Sequence, residues 1–143
     1  MGFLLSNVSR NRLDTCHTLL QRLVTEVLKG EVTYESGQRK AFDVSVICGF
    51  RGEADQNAAY TSGKSKLQWP RSKHNVRPAM AVDIVPYPLD WQDIRSFQNM
   101  GVAVKEAWSS IPSSERQGFA LAWGGDWTMR DYPHFELQKL TVA

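Results

Sequence analysis

Hydrophobic side chains recur with the period of an α-helix in two long segments of the chain. We expect the first segment to form one helix, which Ser6 or Ser9 can cap and which Gly30 ends. The second segment, Trp91–Ile111, follows a capping Asp90 and is stopped by a proline. The pattern therefore predicts two amphipathic helices, and the stretch EADQNAAY predicts a third, shorter one.

Other segments are apolar or alternate between apolar and polar residues, as strands do. They are Val32–Tyr34, Phe42–Phe50, Met80–Val85, Phe119–Trp123 and His134–Leu137. Turn-forming residues follow the first of these at Glu35–Gln38 and the fourth at Gly124–Asp126. The chain is thus predicted to combine helices with short strands, and the sequence contains no internal repeat.

One acidic residue interrupts the apolar strand Met80–Val85. A carboxylate in a buried strand costs free energy unless it is paired with a charge or bound to a metal. We therefore predict that Asp83 has a functional role. The alternative is an edge strand on which Asp83 faces water.

The composition is that of an ordinary globular protein. A length of 143 residues favours one domain, residues 1–143, and 42% hydrophobic with 22% charged residues is typical of a folded chain.

Cys16 and Cys48 lie in apolar patterns, so we predict two small buried side chains; they are too few for a cysteine-rich zinc site. No apolar run approaches the ~20 residues of a membrane span. The N-terminus lacks the features of a signal peptide, so we expect no export by the ordinary signal route.

The charge pattern is more informative than the net charge of +2. Five basic residues surround one segment of the chain: Lys64, Lys66, Arg71, Lys73 and Arg77. A basic rim favours an anionic ligand, either a nucleic acid or an acidic polymer such as a cell wall. The alternative is that these residues only provide solubility. A nucleic-acid partner is disfavoured because the chain has no phosphate-binding glycine motif and its net charge is low.

Two motifs carry the candidate chemistry, RSKHNVRPAMAVDIVP at residues 71–86 and WGGDWTMRDYPHFEL at residues 123–137. Together they supply His74, Asp83 and His134. Two imidazoles and one carboxylate are a common ligand set for a catalytic zinc ion, with the fourth position left to water. We therefore predict a small zinc peptidase.

Two further residues suit the same reaction. Asp131 stands three residues before His134, where a carboxylate can lie beside the metal and act as the general base. Arg51 stands where the strand Phe42–Phe50 ends and can project into a cleft to hold an oxyanion or a substrate carboxylate. The alternative for Arg51 is a surface salt bridge.

At these residues the sequence resembles a known family. SKHNVRPAMAVDIVPYPLDW together with WGGDWTMRDYPHFEL resembles the VanY-like D-Ala-D-Ala carboxypeptidases, and more closely the L-alanyl-D-glutamate peptidases found as phage endolysins. The resemblance extends to LSNVSRNRL, to the GFR and EADQ segments, and to a Gly63–Ser65 loop. It implies an α+β fold of the Hedgehog-like kind: a small antiparallel sheet with packed helices and a zinc cleft at one side.

The resemblance also implies roles for individual residues. His74, Asp83 and His134 correspond to the zinc ligands, Asp131 to the catalytic base, and Arg51 to a contact of the substrate or transition state. Gln56 and Ser72 correspond to substrate-binding or supporting positions. The chain departs from the family at Gly52, where a threonine is usual, and in a longer interval between the first histidine and the aspartate.

The activity implied is zinc-dependent hydrolysis of the bond between L-Ala and D-Glu in the stem peptide of peptidoglycan. As an endolysin without a signal peptide, the protein would accumulate in the host cytoplasm and reach the wall in the periplasm through holin lesions. A monomer is expected, and neither a membrane nor a nucleic acid is expected as a partner. The alternatives are a D-Ala-D-Ala or L,D-carboxypeptidase of the same family and a non-catalytic zinc-containing binding module. Asp131 argues against the module, since a structural site needs no uncoordinated acid.

Overall fold

The computed structural model describes residues 2–30, 36–37 and 40–140, and the predicted strand Val32–Tyr34 lies outside them. The described helices are α1 Asn7–Leu13, α2 Thr18–Lys29, α3 Glu53–Thr61 and α4 Ile94–Ser110. The described strands are β1 Val44–Cys48, β2 Ala81–Pro86, β3 Phe119–Trp123 and β4 His134–Lys139. Short 3-10 turns lie at Lys73–Asn75, Ser113–Glu115 and Gly124–Asp126. Four predicted strands and the predicted helices that became α3 and α4 are therefore confirmed, with shifts at their ends.

The four strands form one antiparallel sheet in the order β1-β2-β4-β3. Asp83 on β2 pairs with His134 on β4, so their side chains stand side by side on one face. A register shift between Val46 and Cys48 places Cys48 opposite Asp83 as well. The two central strands thus bring together residues that are distant in the sequence.

The opposite face of the sheet packs against helices. Because successive side chains of a strand point to opposite faces, Val82 and Ile84 enter the core while Asp83 faces away from it. Helix α4 lies against β2 and β3 and also contacts α2. At this point of β2, Asp83 therefore lies on the face opposite Val82 and Ile84.

One glycine allows a particularly close approach in this core. A Cβ atom on Gly101 of α4 would lie 2.5 Å from the ring of Trp123 at the end of β3. Trp123 is buried and stacks on Phe135 with ring centroids 6.0 Å apart. Gly101 thus lets the helix pack directly on an aromatic pair.

The expected single first helix is wrong, because the chain forms α1 and α2 with a break between them. Ala79 accepts a hydrogen bond from the His17 amide at 2.9 Å and donates one to the Thr15 carbonyl at 3.0 Å. These bonds to a distant segment replace helical ones, although the apolar period continues through the break. The His17 side chain then caps α2 by accepting from the Leu19 amide at 3.0 Å.

The N-terminus of α4 also differs from the prediction. The helix begins at Ile94 rather than Trp91, and its cap is Asp93, which accepts from the Ser96 amide at 3.1 Å. Trp91 instead stacks on Phe97 with centroids 5.5 Å apart. Among the described residues, no helix combines the length and apolar character that crossing a membrane requires.

Candidate active site

His74 lies in the 3-10 turn that precedes β2 and is held there by the residue before the turn. The Ser72 hydroxyl accepts a hydrogen bond from the His74 amide at 3.2 Å, and the Ser72 amide donates to Asn75 Oδ1 at 3.0 Å. His74 Nδ1 is 2.8 Å from the carbonyl oxygen of Gly49. Since a carbonyl only accepts, Nδ1 carries the hydrogen and Nε2 of the neutral ring keeps its lone pair.

His134 begins β4 and is oriented by Glu136, two residues later on the same face of the strand. His134 Nε2 is 2.8 Å from Glu136 Oε1. Burial opposes ionisation of Glu136, but the hydrogen bonds from His134 and Gln138 and the charge of Lys73 lower its pKa to about 2. An ionised carboxylate only accepts, so Nε2 carries the hydrogen and Nδ1 keeps its lone pair.

The two free imidazole nitrogens and one carboxylate oxygen converge on a single point. His74 Nε2 and His134 Nδ1 are each 3.2 Å from Asp83 Oδ1 and are 3.3 Å from each other. Donor atoms bound to a tetrahedral zinc at about 2.0–2.1 Å are also about 3.3 Å apart. The spacing of these three atoms thus fits a zinc ion.

Cys48 is a fourth candidate donor that the sequence did not reveal. The predicted buried cysteine is partly exposed, and its Sγ lies 3.7 Å from His74 Nδ1. Cys48, His74 and Asp83 each offer a ligand atom within 4.8 Å of the others. We favour the set with His134, because its atoms are closer together and because His74 directs Nδ1 at Gly49 and Nε2 at Asp83.

The charges of these groups are strongly coupled. Burial alone would lower the pKa of His74 and His134, but their hydrogen bonds to Asp83 outweigh it and raise both above the usual range. Burial would likewise raise the pKa of Asp83, and the hydrogen bonds from the two imidazoles lower it instead. Asp83 is therefore ionised, and in the metal-free protein the proton is the competitor of a metal ion.

Arg51 follows β1 and stands next to Asp83. Its Nη2 is 3.7 Å from Asp83 Oδ2, and its Nη1 donates to Gln56 Oε1 at 3.0 Å. The backbone amide of Arg51 donates to the carbonyl of His74 at 2.7 Å. The arginine predicted to enter a cleft thus lies at the candidate metal site, with 19% of its side chain exposed.

Comparison with known proteins identifies the family of this chain. The family described as phage L-alanyl-D-glutamate peptidase matches residues 1–142. The chain belongs to the phage L-alanyl-D-glutamate peptidase family. The chain is also similar to the crystal structure of Serratia marcescens L-Ala D-Glu endopeptidase ChiX, with a TM-score of 0.69 and 27% identity. That similarity covers 94% of this chain and 90% of the ChiX chain, which confirms the predicted α+β fold.

In this family member, Gln56 and Ser72 form hydrogen bonds to residues of the candidate site, Gln56 to Arg51 and Ser72 to His74. Gln56 is fully buried; besides its bond to Arg51, its Nε2 donates to Ser65 Oγ at 2.9 Å and to the Leu67 carbonyl at 2.7 Å. Ser72 is buried as well and caps the turn of His74. The hydrogen bonds of these side chains hold Arg51, His74 and the 65–67 loop in place, and their predicted contact with substrate stays a prediction.

Asp131 of this peptidase lies in the turn before β4. Its amide donates to the Gly124 carbonyl at 2.9 Å, and its own carbonyl accepts from the His134 amide at 3.1 Å. A Cβ on Gly124 would collide with the Asp131 backbone. Partial loss of hydration among the surrounding residues and the charge of Asp83 raise the pKa of Asp131. The charges of His134, His74 and Arg51 act in the opposite direction. A perturbed carboxyl close to a candidate metal site suits a proton acceptor.

Proposed function

We propose that this chain is a zinc-dependent endopeptidase that cleaves the bond between L-Ala and D-Glu in the stem peptide of peptidoglycan. The observation that carries the proposal is the convergence of His74 Nε2, Asp83 Oδ1 and His134 Nδ1, with separations of 3.2–3.3 Å, in a member of this peptidase family. Two imidazoles and a carboxylate favour zinc over the hard, oxygen-binding cations.

His74, Asp83 and His134 would hold the zinc ion, which would supply Lewis acidity for activating water and polarising the scissile carbonyl. Asp131 accepts the proton of the attacking water on its carboxylate and delivers it to the leaving amine of D-Glu. Arg51 holds negative charge on the substrate or on the developing oxyanion. Gln56 fixes the guanidinium of Arg51 through the hydrogen bond to Nη1.

The same proposal accounts for the basic residues of the chain and gives the place in the cell where the reaction occurs. The substrate is an anionic polymer, which accounts for basic residues such as Lys64, Lys66 and Arg71 near the first motif. We propose that the enzyme works as a monomeric single domain. It acts on the wall in the periplasm after leaving the host cytoplasm through holin lesions.

Mass spectrometry of digested muropeptides tests the scissile bond. The expected product carries a new N-terminal D-Glu, whereas release of free D-Ala would instead assign a carboxypeptidase. Chelation should abolish cleavage, and added zinc should restore it. A protein that binds peptidoglycan and zinc but releases no fragment would be the non-catalytic module.

A further inference from the structure

The indole of Trp127 is partly exposed and lies directly beside His134, a residue of the candidate metal site. Its ring centroid is 5.3 Å from that of His134, with an angle of 47° between the planes. The residue remains 37% exposed. An indole offers a large apolar face for contact with a ligand. The mechanism above gives this side chain no role.

The turn that carries Trp127 is held in place from several directions. The Trp127 amide donates to the Gly124 carbonyl at 3.2 Å, and Arg130 Nη1 donates to the Gly125 carbonyl at 2.7 Å. Asp126 forms an ion pair with Lys105 of α4 at 2.7 Å. A surface fixed in this way loses little conformational entropy when a ligand binds.

Trp127 and Arg51 lie on opposite sides of the candidate metal residues. Arg51 follows β1 and Trp127 follows β3, and these are the two outer strands of the sheet. Asp83 and His134 belong to the two strands between them. Three strand spacings separate the outer strands, about 14 Å. The site thus has a cationic side and an aromatic side.

The substrate of the proposed reaction has a sugar on one side of the scissile bond and a carboxylate on the other, and these groups suit an aromatic and a cationic side chain. In peptidoglycan, the lactyl group of N-acetylmuramic acid is joined to L-Ala, so a sugar lies one residue before the scissile bond. The D-Glu after that bond has a free carboxylate. About three residue lengths, roughly 10 Å, separate this carboxylate from the sugar. This is shorter than the ~14 Å between the outer strands, and both side chains reach inward, Arg51 to Asp83 and Trp127 to His134.

We propose that Trp127 binds the N-acetylmuramic acid of the substrate, with the apolar face of the sugar ring packed on the indole. Arg51 then takes the D-Glu carboxylate, and the stem peptide crosses the sheet from the β3 side to the β1 side. This inference rests on the proposed function and adds the glycan as a recognised part of the substrate.

Two substrates that differ only before L-Ala test the inference. One is the N-acetylmuramyl tetrapeptide, and the other is the same tetrapeptide with an acetyl group in place of the sugar. We expect Trp127→Ala to lower kcat/KM roughly tenfold or more for the muramyl substrate, with little change for the acetyl substrate. Trp127→Phe should lose less, because it keeps an aromatic face.

Trp91→Ala is the matched control, since Trp91 is also exposed and stacked but contacts Phe97 instead of a metal-site histidine. It should leave the preference for the muramyl substrate unchanged. The ratio of the two kcat/KM values does not depend on the fraction of folded enzyme, so a partly unfolded Trp127→Ala variant remains informative.

Equal losses on both substrates would overturn the inference, because Trp127 would then act on the fold or on the peptide alone. The same holds if wild-type enzyme shows no preference for the muramyl substrate. If wild-type enzyme cleaves neither substrate between L-Ala and D-Glu, the proposed function itself fails, which is a distinguishable result.

Discussion

Glu136 offers the sharpest test of how the candidate metal site is organised, and the substitution Glu136→Gln isolates its charge. Glu136 Oε1 accepts from His134 Nε2 at 2.8 Å, while Oε2 lies 3.3 Å from Lys73 Nζ. Glutamine keeps the size of the side chain but can turn its amide group towards His134. Without the carboxylate, the imidazole is free to move its hydrogen to Nδ1, the atom that faces Asp83 and His74.

The size of the effect follows from this contact. Loss of a carboxylate that orients a metal-binding histidine typically weakens metal affinity about 10- to 100-fold, or about 1.4–2.7 kcal/mol. The His134 and Glu136 side chains are only 10% and 12% exposed, so water compensates poorly for the lost charge. We therefore expect a value in the upper half of that range. Lys73 would also lose its ion-pair partner.

Competition with a chromophoric zinc chelator measures the affinity directly. Glu115→Gln is the control, because it also removes one negative charge but from an exposed ion pair with Arg22. We expect the control to bind zinc as the wild type does, since an exposed pair contributes little. At saturating zinc, Glu136→Gln should recover much of its activity. A zinc affinity for Glu136→Gln equal to that of the control would refute the role assigned to Glu136.

Three further predictions follow from the site and the core. Asp131→Asn should retain zinc in metal analysis but lose roughly 10²–10⁴-fold in rate; undiminished turnover would remove Asp131 from the mechanism. Because Asp83 raises the pKa of both metal-facing imidazoles against the effect of burial, the metal-free site holds protons near neutral pH. Zinc binding should therefore release at least about one proton and weaken as pH falls; calorimetry in two buffers that finds no release would contradict this. An added methyl on Gly101 would collide with three ring atoms of Trp123, so we expect the upper part of the ~1–3 kcal/mol range for overpacking. After the ~1 kcal/mol gained in helix propensity is subtracted, Gly101→Ala should destabilise the protein by about 1–2 kcal/mol. Urea denaturation measures this, with the exposed Val102→Ala as control; equal stability of Gly101→Ala and wild type would show that the core has room.

Much of the fold could be read from local patterns. The alternation of Val44 and Val46 predicted a half-buried strand, and the acid inside an apolar run singled out Asp83. These signals are local because a strand turns successive side chains to opposite faces whatever its partners are. The two motifs then identified the family, which the match over residues 1–142 confirms.

Contacts between distant segments decided the rest. The helix break before His17 depends on hydrogen bonds to Ala79, which no helical period can reveal. Cys48 faces the candidate metal site because β1 shifts register against β2, although its apolar context predicted burial. Gln56 is polar and lies in a helix of weak apolar pattern, yet the Arg51 side chain and the 65–67 loop enclose it completely. The sequence by itself determined which residue types could bind a metal. Only the tertiary structure determined which of their atoms meet, because hydrogen bonds from Gly49 and Glu136 set the direction of each lone pair.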